Sequence, residues 1–413
     1  MPTKRPHPTL KPTHLIYSDC PVFGGADAVA AAVLRDEALG REANLVFAYR
    51  DHPRFAEGVA RQVAPGLKKI PVRLPERHDW LTDETPLAMK LAYRLADYGV
   101  FLYDVARLTR AFRSAAPVLV HVNDGGYPGA MGCRAAAVAA RLSGARKVVF
   151  VVHNQTLPLR LPWEILEWAI DRLVELCVDV FVTASLASQD SLARRGFPRE
   201  RMTVIPDAVA SPGPRRPRDE VRRELDLPAS EPVFIMTAFF EPRKGHRALI
   251  EALGRLGPKA PLVVLVGDGP ERDAILALAK EKGVESRLRP TGFRADYLDL
   301  IAACDALILP SIGSEDMPLV ILDAMALGKP VIASRLAGIP EEVVHDKTGL
   351  LTEPGDSAGL AEALARLAGD ETLRRSFGAE GLKRFREQFE IGILTGRYRA
   401  LYAGLLTRVN RRS

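Results

Sequence analysis

The chain has little cysteine. Among 413 residues, only Cys20, Cys133, Cys177 and Cys304 carry a thiol, and no C-x-x-C or other metal-ligand spacing joins them. That excludes a disulfide framework and a zinc cluster, and isolated thiols fit a reducing cytoplasm. Long apolar runs are also missing: none approaches the roughly 18 residues that a membrane-spanning helix requires. The start, MPTKRPHPTLKPTH, carries basic residues and four prolines but no apolar core. Residues 1–13 therefore read as a loose tail, not a secretory leader. No D-x-D triplet occurs, so no metal is needed to explain the chemistry argued below. Internal repeats and low-complexity tracts are absent as well.

What is present describes an ordinary globular chain, with 47% hydrophobic and 26% charged residues. Its length predicts about two domains. The net charge is +6 with an isoelectric point near 9.1, but acids interleave with the bases (DEVRRELD, KRFREQFE) as on solvated helix faces. That arrangement argues against a nucleic-acid partner. Roughly +5 of the excess falls before residue 210 and about +1 after it. An anionic acceptor, peripheral contact with anionic lipid on the inner face of a membrane, and plain surface decoration all fit this bias.

Short β-rich runs alternate with longer Ala/Leu/Arg-rich stretches at helical spacing. THLIYS, ANLVFAYR, APVLVHVND, KVVFVVHN, DVFVTAS and MTVIPD read as strands of a first half. The Pro/Arg segment ASPGPRRPR follows at 210–218, and the pattern restarts with EPVFIMTAF, PLVVLVGDG, DALILPS and KPVIAS. Unalternated Val/Ile/Leu strands with helical crossovers indicate parallel doubly wound sheets. The expected α/β architecture is two Rossmann-like domains facing a central cleft. The predicted limits are 1–208 and 209–385, with a helix over 386–413 crossing back to the first domain.

Ligands of open parallel sheets bind beyond the carboxyl ends of the strands, and three loops there carry chemistry. In VFGGADAV, Gly24 and Gly25 precede a helix opened by Asp27, and paired glycines let backbone amides approach a phosphate. The same pair is also an ordinary turn. In FEPRKGH, Arg243 and Lys244 sit between a predicted strand and an amphipathic helix, although vicinal bases are commonly surface residues. In GSEDMPLVILDAM, Gly313 opens a loop holding Glu315 and Asp316. Pro318 suits the first position of a helix running to Leu327 and stopping at Gly328. Around Pro318, which has no N–H of its own, the backbone N–H groups of Met317, Leu319 and Val320 lack intrahelical acceptors and form an anion site. Asp323 lies little more than a turn inside. In isolation, a helix cap plus one solvated acid is the better account of the two carboxylates. Together the loops suit a sugar attached to a diphosphate.

The order GGAD, VVHN, VIPDAV, EPRKG, GDGPER, TGF, SEDMPLVILDAM, GKPVIAS and GLL resembles family four of the retaining GT-B glycosyltransferases, most densely from residue 230 to 355. The resemblance implies transfer of a sugar from a nucleotide-diphosphate donor to an acceptor hydroxyl with retention of configuration, and no further cofactor. It places the family's paired acids on Glu315, which would contact the donor sugar, and Asp323, which would contact the ribose. It places the diphosphate lysine on Lys244 and the histidine near the reacting sugar on His153. Phe293 and Arg294 fall in the segment beside the nucleobase. HVNDGGYPGA, with Asn123, Asp124 and Tyr127, is similar to an acceptor-side loop. Two departures stand out. Asp323 replaces the usual glutamate, and Phe239 stands where the family has a second diphosphate cation, a role that Arg243 is positioned to assume. A GT-B epimerase and an idle nucleotide-sugar binder are the other readings of the same residues.

Overall fold

The apolar runs become strands at nearly the expected places. The computed structural model describes residues 11–20, 22–75, 86–159, 165–210 and 213–407. Most of the predicted tail (residues 1–10), two residues of the Pro/Arg segment (211 and 212) and the last six residues lie outside the described residues. In chain order the first strands are β1 (Thr13–Ser18), β2 (Asn44–Arg50), β3 (Lys68–Val72), β4 (Leu119–Asp124), β5 (Lys147–Val152), β6 (Val180–Thr183) and β7 (Met202–Val204). Between them run α1 (Gly25–Leu34), α2 (Glu37–Glu42), α3 (Pro53–Gln62), α4 (Leu87–Arg113), α5 (Met131–Leu142), α6 (Ile165–Cys177) and α7 (Leu186–Arg194). The second set is α8 (Arg218–Glu224), β8 (Val233–Thr237), α9 (His246–Leu256), β9 (Leu262–Val266), α10 (Arg272–Glu281), β10 (Leu288–Gly292), α11 (Tyr297–Ala303) and β11 (Ala306–Leu309). It continues with α12 (Leu319–Ala326), β12 (Val331–Ser334), α13 (Ile339–Glu342), β13 (Gly349–Thr352), α14 (Ser357–Gly369), α15 (Glu371–Gln388) and α16 (Ile391–Thr407).

Two units result. The first comprises residues 1–183, 189–205 and 395–413, and the second residues 184–188 and 206–394. The predicted limits at 208 and 385 fall at 205 and 394 in this division, and residues 184–188 join the second unit. The later return has a physical cause: Val209 bridges Glu390, and the Ile391 amide donates to Val209 O, keeping the start of α16 with the second unit. From Thr395 the helix belongs to the first unit. There Tyr402 OH lies 2.6 Å from His121 Nδ1, and the Tyr398 ring packs on His121. Burial pushes the His121 imidazole down to about 3, so the ring is neutral and sits among aromatics without a charge cost.

Each unit is one parallel sheet between helices. The first sheet runs β3-β2-β1-β4-β5-β6-β7 and the second β10-β9-β8-β11-β12-β13. The interior strands are buried on both faces, as unalternated apolar strands require. Over the first sheet, α5 is buried from Met131 to Ala140, and its alanines and glycine permit that close packing. Helices α4 and α6 both pack on α5 and meet where Tyr98 OH donates to Glu167, 3.4 Å away. In each sheet the strand order reverses once, at β1/β4 and at β8/β11. Those reversals are where open α/β sheets leave a crevice at the strands' carboxyl ends.

Candidate functional site

In the second unit, the loops leaving β8 and β11 flank the reversal and are locked together. Gly245 has φ 77°, and a Cβ there would lie 1.8 Å from Pro310 O, so only glycine permits this approach. The Ile312 amide donates to Arg243 O at 2.7 Å. This contact brings Lys244 against Glu315: its ammonium hydrogen-bonds Glu315 Oε1, which also accepts from Ser311 Oγ at 2.9 Å. Arg243 Nη1 lies 3.6 Å from the same oxygen and donates to Ser314 O, while Nη2 pairs with Glu241. Glu315 is only 6% exposed. It is not the helix cap that the local sequence allowed. Pro318 takes the cap position, and α12 begins one residue later than predicted, at Leu319.

Helix α12 starts four residues after Glu315 and is capped at Leu327, with Gly328 in the left-handed region. Asp323 is buried within it, and Tyr297 OH donates to its Oδ2 at 2.9 Å. Burial pushes the Asp323 carboxyl up to about 6, and the Tyr297 bond opposes that rise. Across the sheet edge, Phe293 is 80% exposed. The Arg294 guanidinium is held by both oxygens of Asp296 (2.7 Å each) and by Glu224. Its cationic group is therefore engaged within the protein. Phe239, following β8, is exposed and carries no charge to the site.

In the first unit, Asp27 organises the turn after β1. It accepts the Gly24 amide at 2.9 Å and Ser18 Oγ at 2.5 Å, so α1 begins at Gly25 with Asp27 in its first turn. The glycine turn was read as a pair of phosphate-facing amides, but the Gly24 N–H is already taken by Asp27. Gly24 has φ −119°, ordinary extended backbone, and Gly25 opens the helix. His153 follows β5. Its Nε2 lies 2.9 Å from Asn123 Oδ1, and its amide donates to Asp124 O. An amide oxygen only accepts, so Nε2 carries the proton when Asn123 is oriented this way.

The three residues expected at the acceptor, Asn123, Asp124 and Tyr127, are buried and bonded within the first unit. Asn123 is fully buried and donates to Ala26 O at 3.3 Å. Asp124 accepts from the Gly126 and Ala130 amides and so closes its own loop, and burial pushes its carboxyl up to about 7. Tyr127 donates to Asp171 Oδ1 at 2.6 Å, beneath the guanidinium of Arg195.

The residues at 217–384 match the model of glycosyl transferases group 1, and those at 46–211 match glycosyltransferase family 4. The chain belongs to the group 1 glycosyltransferases. Among its relatives, N-acetyl-alpha-D-glucosaminyl L-malate synthase of Bacillus anthracis is 33% identical over 193 residues, 46% of this chain and 50% of that protein. Lipopolysaccharide core biosynthesis glycosyltransferase LpsE of Rhizobium meliloti is 36% identical over 183 residues, 44% of this chain and 53% of that one. The match thus spans about half the length of these relatives. The fold is that of Anabaena Alr3699/HepE, solved with UDP: TM-score 0.76 at 20% identity, over 95% of this chain and 100% of that one. This glycosyltransferase is accordingly a GT-B protein with two parallel-sheet α/β domains.

Several residues that build the glycosyltransferase site gave no sequence signal. Tyr297 reaches Asp323 across 26 positions, and Ser185 Oγ donates to buried Asp316 across 131. Glu341 accepts from the Leu186 and Ala187 amides at the start of α7. Glu342 beside it is fully buried, and neither of its oxygens has a hydrogen-bond partner among the described residues. Burial first, then the negative charges of Asp316, Asp207, Glu315 and Glu341, hold its carboxyl well above the usual range. Ser311 alone had a local cue, as the polar residue ending the apolar strand read DALILPS.

Proposed function

We propose that this glycosyltransferase moves a sugar from a nucleotide-diphosphate sugar to an acceptor hydroxyl, with retention of anomeric configuration, in the assembly of a glycan or glycoconjugate. The observation that carries the reading is Glu315, held by Lys244 and Ser311 at the β8/β11 reversal, next to the unpaired amides of α12. A lysine ammonium has three N–H donors, and Glu315 uses one. The others can meet the departing diphosphate, with the α12 amides supplying further fixed positive charge. Glu315 binds the donor sugar's hydroxyls, and Asp323 the ribose. Exposed Phe293 lies beside the nucleobase, whose contacts there come from main chain because the Arg294 guanidinium is engaged. His153 serves the reacting sugar.

In the reaction the bond from the anomeric carbon to the phosphate oxygen breaks, and a bond to the acceptor oxygen forms on the same face. The acceptor proton passes to the leaving phosphate. No metal is assigned: among the described residues no group of three or more His, Cys, Asp and Glu side chains could hold one. We place the reaction in the cytoplasm, whose reducing conditions suit the isolated thiols. No helix among the described residues is long and apolar enough to cross a membrane.

The test is incubation of the purified protein with labelled nucleotide sugars, with and without acceptor, beginning with the uridine nucleotides that the Anabaena neighbour holds. Transfer requires acceptor. Product formed without acceptor would instead mark an epimerase, and no turnover with any donor would mark an idle binder.

A further inference from the structure

Four buried polar side chains of the first unit form one hydrogen-bonded row at the β1/β4 reversal. Ser18 ends β1 and stands in register with Asn123 on β4, which in turn is in register with Val151 on β5. His153, two residues beyond Val151, returns to the same side of the sheet. Asp27 joins the row from the first turn of α1.

A fixed end sets the direction of every bond in the row. Ala26 O is a main-chain carbonyl and only accepts, so the Asn123 atom 3.3 Å from it is Nδ2. The same Nδ2 faces Ser18 Oγ at 3.5 Å, and Ser18 donates its own proton to Asp27 Oδ1. Asp27 accepts at both oxygens, from Ser18 and from the Gly24 amide, as a carboxylate does. With Nδ2 committed at that end, Oδ1 faces His153, whose Nε2 lies 2.9 Å away. An amide oxygen cannot donate, so Nε2 carries a proton in either charge state of the ring. The neutral ring therefore keeps its lone pair on Nδ1. A main-chain carbonyl of α1 thus sets the tautomer of a side chain beyond the end of β5.

The chemistry of the partner matters as much as its place. A neutral amide orients the ring without drawing a second proton onto it, whereas a carboxylate at that distance favours the imidazolium. The imidazolium has two donors and no acceptor. Other titratable groups stand close by. Asp27 and the ring sense each other's charge, and Cys20 bonds Ser18 and Asp27 in the field of Asp19 and Asp124. On β4, His121 is neutral through burial, and charge on His153 pushes it further the same way. Asp124 gives its main-chain oxygen to the His153 amide.

We propose that Asn123, backed by Ser18 and Ala26 O, is a positioning residue that holds His153 as the neutral Nε2–H tautomer, the form that offers the reacting sugar a hydrogen-bond acceptor. The tautomer stands on the bonds of the row; its use rests on the transfer reading above.

Nitrogen NMR of the whole protein, labelled at its eight histidines, tests the tautomer without substrate. The His153 ring, identified by its absence from the His153→Gln spectrum, should show a protonated Nε2 and an unprotonated Nδ1 at neutral pH. A proton on Nδ1 alone, or a doubly protonated ring, would overturn the proposal. Asn123→Asp tests the use. Its carboxylate favours the imidazolium, so the acid limb of kcat/KM against pH should move up by about one to three units, with activity recovering above it. Asn123→Ala removes the acceptor and should lose about threefold to tenfold with its limb in place. A residue that merely supports the fold would lower the melting temperature and leave the limb alone, so an unmoved limb in folded Asn123→Asp overturns the role. Should that variant not fold, the wild-type spectrum still decides. The stated tautomer without transfer from any nucleotide sugar removes the transfer reading alone, so the two fail separately.

Discussion

Lys244 and Glu315 stand 71 residues apart in the chain and share a hydrogen-bonded ion pair where the strand order of the second sheet reverses. The pair exists because Gly245 lets one loop press on Pro310 of the other. It joins the residue suited to a diphosphate with the residue suited to a sugar.

Lys244→Ala should lower kcat/KM for the donor at least about tenfold and up to a hundredfold, the worth of one charged hydrogen bond of ~1.5–3 kcal/mol. Arg243 points at the same carboxylate from 3.6 Å. Arg243→Ala should therefore show a similar loss, because Phe239 supplies no second cation. Kinetics of both variants at low and moderate salt provide the check. A near-normal Arg243→Ala would leave Lys244 and the α12 amides as the whole clamp, and a near-normal Lys244→Ala would remove the clamp.

How much of this was legible in the sequence follows a physical line. Interior strands were read almost to the residue, with THLIYS being β1 itself, because burial on both faces writes an unbroken apolar run. The strands passed over were β3 (KKIPV), β10 (LRPTG) and β13 (GLLT). All three are sheet edges; β3 and β10 each carry a proline, which an edge tolerates, and β13 is only four residues long and opens on glycine. At the candidate site, the loops holding Glu315, Asp323 and Lys244 could be placed because they follow strong strands, while the roles expected of these side chains came from the family resemblance. The fates of Asn123, Asp124 and Tyr127 were not, because a polar loop reads the same whether its side chains face a ligand or their own backbone. Tyr297 and Glu342 matter only through partners distant in the chain.

Tyr297→Phe removes the donor that offsets burial at Asp323. The Asp323 carboxyl, at about 6 in the wild type, should then titrate higher. If the ionised form accepts the ribose hydroxyls, the acid limb of donor kcat/KM against pH moves to higher pH. Asp323→Asn should abolish that limb. Profiles unchanged in both variants would separate Asp323 from donor binding.

Glu342 makes a prediction about stability. Its carboxyl is raised in the folded state, so above about pH 4.3 the folded chain keeps a proton that the unfolded chain releases. Stability on this account falls as pH rises toward neutrality. Glu342→Leu should flatten that slope and raise the melting temperature at neutral pH, since it removes a buried carboxyl with no hydrogen-bond partner among the described residues. Melting curves from pH 5 to pH 8 measure it. An equally steep fall in the variant would place the cause elsewhere.

Activity should survive EDTA, because the positive charge assigned to the leaving group comes from Lys244, Arg243 and backbone amides. Turnover with and without chelator decides this. Complete loss, restored by magnesium or manganese, would contradict the assignment.

The most direct test of the account is Glu315→Gln, assayed for sugar transfer and for melting temperature on the same preparation. Glutamine can still accept from Ser311 and Lys244, so the fold should hold within about 1 kcal/mol. Transfer should be abolished, because the charged acceptor for the donor sugar is gone. A variant that turns over like wild type but melts earlier would make Glu315 a structural acid and contradict the proposed site.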